Sequence, residues 1–332
     1  MKNKQLKKSR LAALLAHEKW GGIAIPMLAI VLALITASVL LLIMGKNPVT
    51  AFMSFLQGSG ILPKAKYGGG QGQLTDLFTT MNTLAPMLLA SLSFIIGFKA
   101  GLFNIGIAGQ MLLSGFAATV VVGYSGLNAY LAKPLVAVVG IITGGLVGAL
   151  IGWLKYRFNI HEVVASVMIN YIISYGSGFF INSYYANILT RSMQICSDAS
   201  RLTLMNVQLG GVKCNVPLGI VLAFAAAFLV KFIFDKTVFG FELKAVGNNA
   251  TCAKYTGINV GRRFIFSMAF SGMLAGLAGV VYFLVLITPS CPRPSPAWAM
   301  MPSPLPCWAM PLPSAPSSPP SSSASSSAAA TT

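Results

Sequence analysis

Seven apolar stretches, each close to the roughly 20 residues needed to cross a bilayer, dominate the chain. They are Ile23–Met44, Leu77–Ile96, Phe103–Gly123, Pro134–Leu154, Val163–Ile181, Val216–Phe234 and Phe264–Ile287. Backbone in lipid has no water to bond, so segments of this length must satisfy their own amides as helices. The fold class that follows is all-α, a polytopic transmembrane helical bundle. Composition agrees: 55% of the 332 residues are hydrophobic and 9% charged, against about a quarter charged in soluble domains. A soluble globular domain and a disordered chain are both excluded. The first stretch is longer than a signal-peptide core of about 7–15 residues, and no clean small-x-small site follows it. It reads as an uncleaved helix.

Charge orients the bundle. Net +17 would suggest nucleic acid in a soluble chain; in a membrane chain it sorts by side. With the amino terminus inside, the basic segment 1–22, Lys99, Lys155, Arg157 and the loop around 231–263 place fifteen Lys and Arg inside. The outer loops hold seven: Lys46, Lys64, Lys66, Lys133, Arg191, Arg201 and Lys213. Trp20, Trp153 and Tyr156 fall near the inner boundary, and Tyr124 and Tyr130 near the outer one, as interfacial aromatics do. Two outer loops are long, Gly45–Asp76 and Asn182–Asn215. The first contains Gly68-Gly69-Gly70-Gln71-Gly72, read as a flexible stretch, because no strand precedes it and no helix opens on it. The main inner loop, 235–263, is polar and basic.

Enzyme signatures fail. There is no G-x-x-x-x-G-K-[ST] phosphate loop. His161-Glu162 begins like H-E-x-x-H, but Ala165 stands where the second histidine belongs. Two histidines and five cysteines without C-x-x-C spacing support no metal centre, cofactor or disulfide scaffold. The chain is not expected to be an enzyme. No carboxylate lies mid-span, whereas ion-coupled carriers usually hold one in the membrane; energy is therefore expected from another subunit. Asn159-x-x-Glu162 reads as a capping box for the fifth span.

The spans carry two further patterns. Gly140, Gly144, Gly148 and Gly152 make one smooth face of the fourth; Gly272, Gly276 and Gly279 repeat the idea in the seventh. Such faces let membrane helices approach closely. Ser166, Asn170, Ser174, Gly178 and Asn182 form a polar-and-small stripe in the fifth. Thr79, Thr80, Asn82 and Thr83 in the second, and Asn104, Gln110 and Ser114 in the third, are further neutral donors and acceptors. These groups suit either interhelical hydrogen bonds or a path for hydroxyls and heterocycle edges. The path candidates are Asn82, Asn104, Gln110, Ser166, Asn170 and Ser174.

Three stretches carry a family likeness. Residues 101–111, GLFNIGIAGQM, resemble F-N-I-G-x-x-G-Q-M. Residues 161–171, HEVVASVMINY, resemble N-E-V-x-x-x-x-M-L-N-Y. Residues 245–260, AVGNNATCAKYTGINV, resemble A-V-G-x-N-x-x-A-A-x-Y-x-G-I. All three patterns are similar to those of permease subunits of bacterial ABC importers for nucleosides and simple sugars, a group related to ribose and branched-chain amino-acid permeases. The likeness covers about residues 20–287, with His161 in place of the usual asparagine and Cys252 in place of an alanine. It implies a permease domain over 23–287 in the bacterial inner membrane. The implied partners are a second permease subunit, a pair of cytosolic ATPases and an external binding protein, with no nucleic acid. It also implies that the inner loop supplies a short coupling helix to the ATPase, carried by Gly247, Asn248, Ala253, Tyr255, Gly257 and Ile258. The expected cargo is a nucleoside or related pentose compound; a ribose-type sugar and an ion-coupled secondary transporter are the rivals, and a non-transporting scaffold is a third.

The tail, 288–332, departs from all of this. It holds 12 of the 18 prolines, 12 serines and none of the 33 glycines, a composition that reads as disordered. The genetic code suggests why. Joining each codon's third base to the next codon's first two forces glycine from Trp298-Ala299, aspartate from Met300-Met301 and alanine from Met301-Pro302. It forces leucine from Cys307-Trp308, glycine from Trp308-Ala309 and alanine from Met310-Pro311. The shifted frame resembles the family's G-Y-D-A-I-A-V-A-L-L-G-N stretch. The expectation is that residues from about 289 are read out of frame, displacing the family's last helices.

Overall fold

The computed structural model describes residues 18–64, 67, 72–125, 127–185, 201–209 and 212–286. The tail, residues 68–71 and most of the second outer loop lie outside the described residues. In chain order the elements are α1 (Glu18–Ile43), α2 (Pro48–Gly58), α3 (Gln73–Lys99), α4 (Ile107–Ala118), α5 (Ala129–Phe158), α6 (Glu162–Phe180), strands β1 (Thr203–Leu209) and β2 (Val212–Pro217), α7 (Leu218–Lys236), α8 (Val238–Asn248), α9 (Ala250–Tyr255) and α10 (Val260–Val281). The protein is a polytopic helical membrane bundle, as expected. α3, α5, α6, α7 and α10 with its extension to Leu284 are each long and apolar enough to span. Met27–Ile43 and Ile107–Gly123 are shorter apolar helices.

Two contact bodies can be described. Among the described residues, those up to Thr80 with 208–209 and 212–214 form one, and those from Met81 to Val207 with Asn215 onward form the other. In the first, Asn47 caps α2 by accepting the Val49 N–H at 2.9 Å, ahead of a proline in the first turn. This helix stands where only a loop was expected. Lys64 pairs with Asp76 at 2.7 Å, and the Thr80 hydroxyl donates to the Ser59 carbonyl at 3.2 Å.

In the second body α10 is central. Seventy-two per cent of its apolar length is buried, against 17% for α7. The glycine faces explain that. A Cβ on Gly144 would strike the Gly272 carbonyl and the Gly276 backbone; one on Gly148 would strike the Met268 carbonyl and lie 3.1 Å from the Gly272 Cα. α5 and α10 therefore pack backbone to backbone, the close approach that small residues permit in lipid. Gly279 does the same against Met111 of α4. On α7, Val221, Phe224, Phe228 and Phe232 stay exposed, an apolar surface fit for lipid.

Three sequence expectations need correction; the first is that no helix opens on the glycine run, since α3 begins at Gln73, directly after Gly72. The third span begins at Ile107, not Phe103, because α3 closes on Gly101 at φ +72° and the chain runs non-helical to Gly106. A capping box from Asn159 to Glu162 does not form either. Asn159 ends α5 in the left-handed conformation at φ 54°, and His161 caps α6, its Nδ1 accepting the Val163 N–H at 3.3 Å. Asparagine tolerates the left-handed region better than other side chains, so α5 claims it before α6 can. Glu162, buried at the start of α6, pairs instead with Lys155.

Candidate functional site

The turn between α3 and α4 organises the site. Asn104 is 1% exposed. Its Oδ1 accepts the Gly106 N–H at 3.0 Å and the Gln110 amide at 3.4 Å. Its Nδ2 donates to Gln110 Oε1 at 3.1 Å and to the Ser271 hydroxyl at 2.8 Å. Ser271 and Ser93 then exchange bonds, each hydroxyl donating to the other's carbonyl at 2.7 Å. The result is a polar knot joining α3, α4 and α10, in which these buried amide and hydroxyl groups have protein partners. In a bilayer an unpaired amide costs several kcal/mol, so such closure stabilises one register of the three helices.

Asn170 fastens the same turn from α6. Its Oδ1 accepts the Gly109 N–H at 3.0 Å, and its Nδ2 donates to the Ile105 carbonyl at 3.0 Å. A Cβ on Gly109 would run into the Asn170 side chain. That contact accounts physically for a glycine in the one motif and an asparagine in the other. The third motif arrives through Gly247, whose own Cβ would strike the Lys99 carbonyl. The three stretches are thus far apart in sequence and adjacent in space.

The other path candidates are placed differently. Asn82 is buried and reaches the Asn215 carbonyl at 3.4 Å. It lies on α3 eleven residues before Ser93, roughly 16 Å along the axis at 1.5 Å per residue. Ser166 and Ser174 flank Asn170 on its face of α6, 0% and 7% exposed. Their hydroxyls have no hydrogen-bond partner among the described residues. Gly178 continues the stripe one turn further along α6; the Asn182 side chain lies outside the described residues. Ser93, Ser267 and Ser271 are buried, hydrogen-bonded polar groups that sequence reasoning passes over. Ser267 and Ser271 are four apart on the seventh span, the same spacing that draws attention to the fifth, but the glycines of that span dominate its pattern.

The inner loop folds into α8 and α9 rather than running open. Asn249 caps α9, its Oδ1 accepting the Thr251 and Cys252 N–H groups at 3.0 and 3.1 Å. Gly257, at φ +85°, closes α9 while the Ile258 N–H returns to the Ala253 carbonyl at 3.0 Å. Ala253 is buried, Asn248 is exposed, and Tyr255 stands 88% exposed at the helix end. Arg263 of α10 pairs with Glu242 of α8 and lies 5.3 Å from the Phe239 ring, holding α8 against the bundle.

Comparison with known proteins matches this arrangement to a class. Residues 77–300 match the family described as the branched-chain amino acid transport system / permease component. The nucleoside ABC transporter permease protein NupB of Lactococcus lactis is 32% identical over 275 residues, 80% of this chain and 72% of that protein. The guanosine ABC transporter permease protein NupP of Bacillus subtilis is 32% identical over 266 residues, with the same coverage. The glucose ABC transporter permease protein TsgB13 of Haloferax volcanii is 26% identical over 272 residues, 79% of this chain and 68% of that protein. No solved structure matches. The chain belongs to this family of membrane permease components.

Proposed function

We propose that the chain is the permease subunit of an ATP-driven importer that moves nucleosides, or related pentose compounds, into the bacterial cytoplasm, its amino terminus on the cytoplasmic side. The observation that carries this reading is the convergence of the three family stretches on the Asn104 turn, in a chain 32% identical to permeases named for nucleoside and guanosine. ATP hydrolysis belongs to a cytosolic partner, capture to an external binding protein, and a second permease subunit completes the pathway. The proposed route follows the Ser166–Asn170–Ser174 face of α6, with Asn82 as a further polar group and with Asn104 and Gln110 serving it by holding the turn beside that face. The glucose relative supports a simple-sugar cargo as the second reading.

Substrate-stimulated ATPase activity of the assembled complex tests the cargo. Stimulation by guanosine and other nucleosides, and none by ribose or glucose, is expected. Stimulation by the sugars alone selects the second reading; uptake that follows an ion gradient and ignores ATP depletion defeats both. For the route, Asn170→Leu and Gln110→Leu at matched membrane levels should each lower uptake. Unchanged uptake of every nucleoside in both variants discards it.

For coupling, residues 247–258 are proposed to meet the ATPase by packing, with Tyr255 as the exposed anchor beside Gly247, Asn248, Ala253, Gly257 and Ile258. Tyr255→Ala should insert normally yet uncouple ATP hydrolysis from transport, an effect of about tenfold or more in transport per ATP. Normal coupling in that variant removes the loop's role. We propose that the chain beyond about 289 is out of frame, on the composition of the tail and its shifted translation; the family match itself runs past that point, to residue 300. Sequencing the gene across codons 285–295 decides this. A continuous frame whose shifted translation lacks the Gly, Asp and Leu-Gly pattern rejects it. Functional assays use the gene as resequenced across that junction.

A further inference from the structure

We propose that Gly101 and Gly247 form a backbone joint that carries motion of the inner-loop helices to the Asn104 turn, and so set how tightly ATP hydrolysis is coupled to transport. The inference rests on the reading of residues 247–258 as the ATPase contact; the joint itself is a feature of the fold.

The turn side of the joint is stiff. α3 ends in a closure in which the Leu102 N–H returns to the Gly97 carbonyl and the Gly101 N–H to the Phe98 carbonyl, both at 3.0 Å. That pattern needs a left-handed residue, and Gly101 supplies it. Leu102 is 1% exposed, and two residues later Asn104 is locked into the polar knot. Between Gly101 and Asn104 there is no solvent-exposed slack except Phe103.

The loop side is stiff as well. In α8, Leu243 and Val246 are buried, and the Glu242–Arg263 pair ties the helix to α10. α9 follows directly, capped by Asn249. Between the two sides no side chain intervenes. A Cβ on Gly101 would sit 3.2 Å from both the Cα and the carbonyl oxygen of Gly247. A Cβ on Gly247 would meet the Lys99 carbonyl and lie 3.0 Å from the Ala100 carbonyl carbon. Side chains between two helices can absorb a displacement by changing rotamer; apposed backbones cannot. A push on α9 or α8 must therefore move the turn or break the contact. Gly257 shows the contrast. It has the same kind of positive φ, but nothing lies within 4 Å of its Cβ position. Its glycine answers a local turn, whereas those at 101 and 247 also answer each other.

The decisive experiment needs no variant. Amide hydrogen exchange is followed in the wild-type importer, assembled with its ATPase and binding protein, without nucleotide and in a vanadate-trapped state. Residues 99–106 are expected to change protection together with 238–258. A response confined to 238–258 overturns the joint while leaving the loop's role intact. No response in either segment removes the loop's role and the joint with it. Gly247→Ala then gives the functional readout. In assembled complexes, substrate-stimulated ATPase activity and uptake should fall about tenfold or more, the size of a typical coupling effect. A merely structural defect would lower assembly and leave each assembled complex normal; wild-type stimulation and uptake per assembled complex overturn the proposal. If the variant does not assemble, the exchange measurement on the wild type remains the deciding one.

Discussion

Ser271 and Ser174 are both buried hydroxyls on membrane-spanning helices, but they live in different chemistry. Ser271 donates to Ser93, accepts from Asn104, and sits at the centre of a closed knot. Ser174, like Ser166, is buried with no partner among the described residues. A closed network fixes geometry; an open hydroxyl raises the free energy of the packed state by about 1–3 kcal/mol unless something else uses it. The comparison separates scaffold from candidate route within one bundle. Removing a group from the first should lose stability, and removing one from the second should not.

The largest effect is expected at the centre of the knot. Asn104→Leu leaves the Gly106 N–H, the Gln110 amide and Ser271 with lost partners at once. A loss of about 3 kcal/mol follows from two or more unpaired buried groups. Thermal unfolding of the detergent-purified protein, read by size-exclusion fluorescence, should show a sharply lower midpoint or no folded peak. A wild-type midpoint would mean the knot is not scaffold. Ser271→Ala is the milder cut. It removes one donor to the Ser93 carbonyl and one acceptor from Asn104, and interhelical hydrogen bonds in membranes are worth about 0.6–2 kcal/mol. Its midpoint should fall between those of the wild type and Asn104→Leu, and an order reversed between the two variants breaks the scaffold half of the comparison.

The helical class and the places of five spans were legible in the sequence because lipid leaves the backbone no alternative; the other two stretches fold as shorter apolar helices. The glycine faces at 140–152 and 272–276 were legible too, since a four-residue period of small side chains has few uses other than contact. What escaped was anything set by three-dimensional competition. Phe103 and Asn104 are apolar-flanked and look like span, yet the left-handed Gly101 and the side-chain cap on Gly106 hold them out of the helix. Asn159 is three residues ahead of Glu162, as a capping box requires, but α5 takes it first. Asn170 and Gly109 reveal their pairing only when α4 and α6 are side by side. Polarity alone marks the path candidates in the sequence, and it cannot distinguish Asn104, whose bonds are all internal, from Ser174, whose hydroxyl has no partner among the described residues.

Ser166→Ala and Ser174→Ala carry the smallest expected change in stability and the sharpest test of the difference. Each removes a buried hydroxyl that bonds nothing among the described residues, so the desolvation cost of that hydroxyl disappears with it. Stability should stay level or rise by up to about 1 kcal/mol, the lower range of that cost. Serine to alanine changes volume little, so no cavity of consequence forms. If these hydroxyls line the proposed route, their partner is the cargo in transit, and uptake should fall several-fold while the unfolding midpoint holds or climbs. That opposite movement of stability and transport cannot come from misfolding. A fall in both would place the serines in the scaffold beside Ser271, and no change in either would move the route off this face of α6. The double variant sharpens the outcome: the sites lie eight residues apart on one face, roughly 12 Å along the axis. Independent contacts with one passing molecule should then give transport losses that multiply.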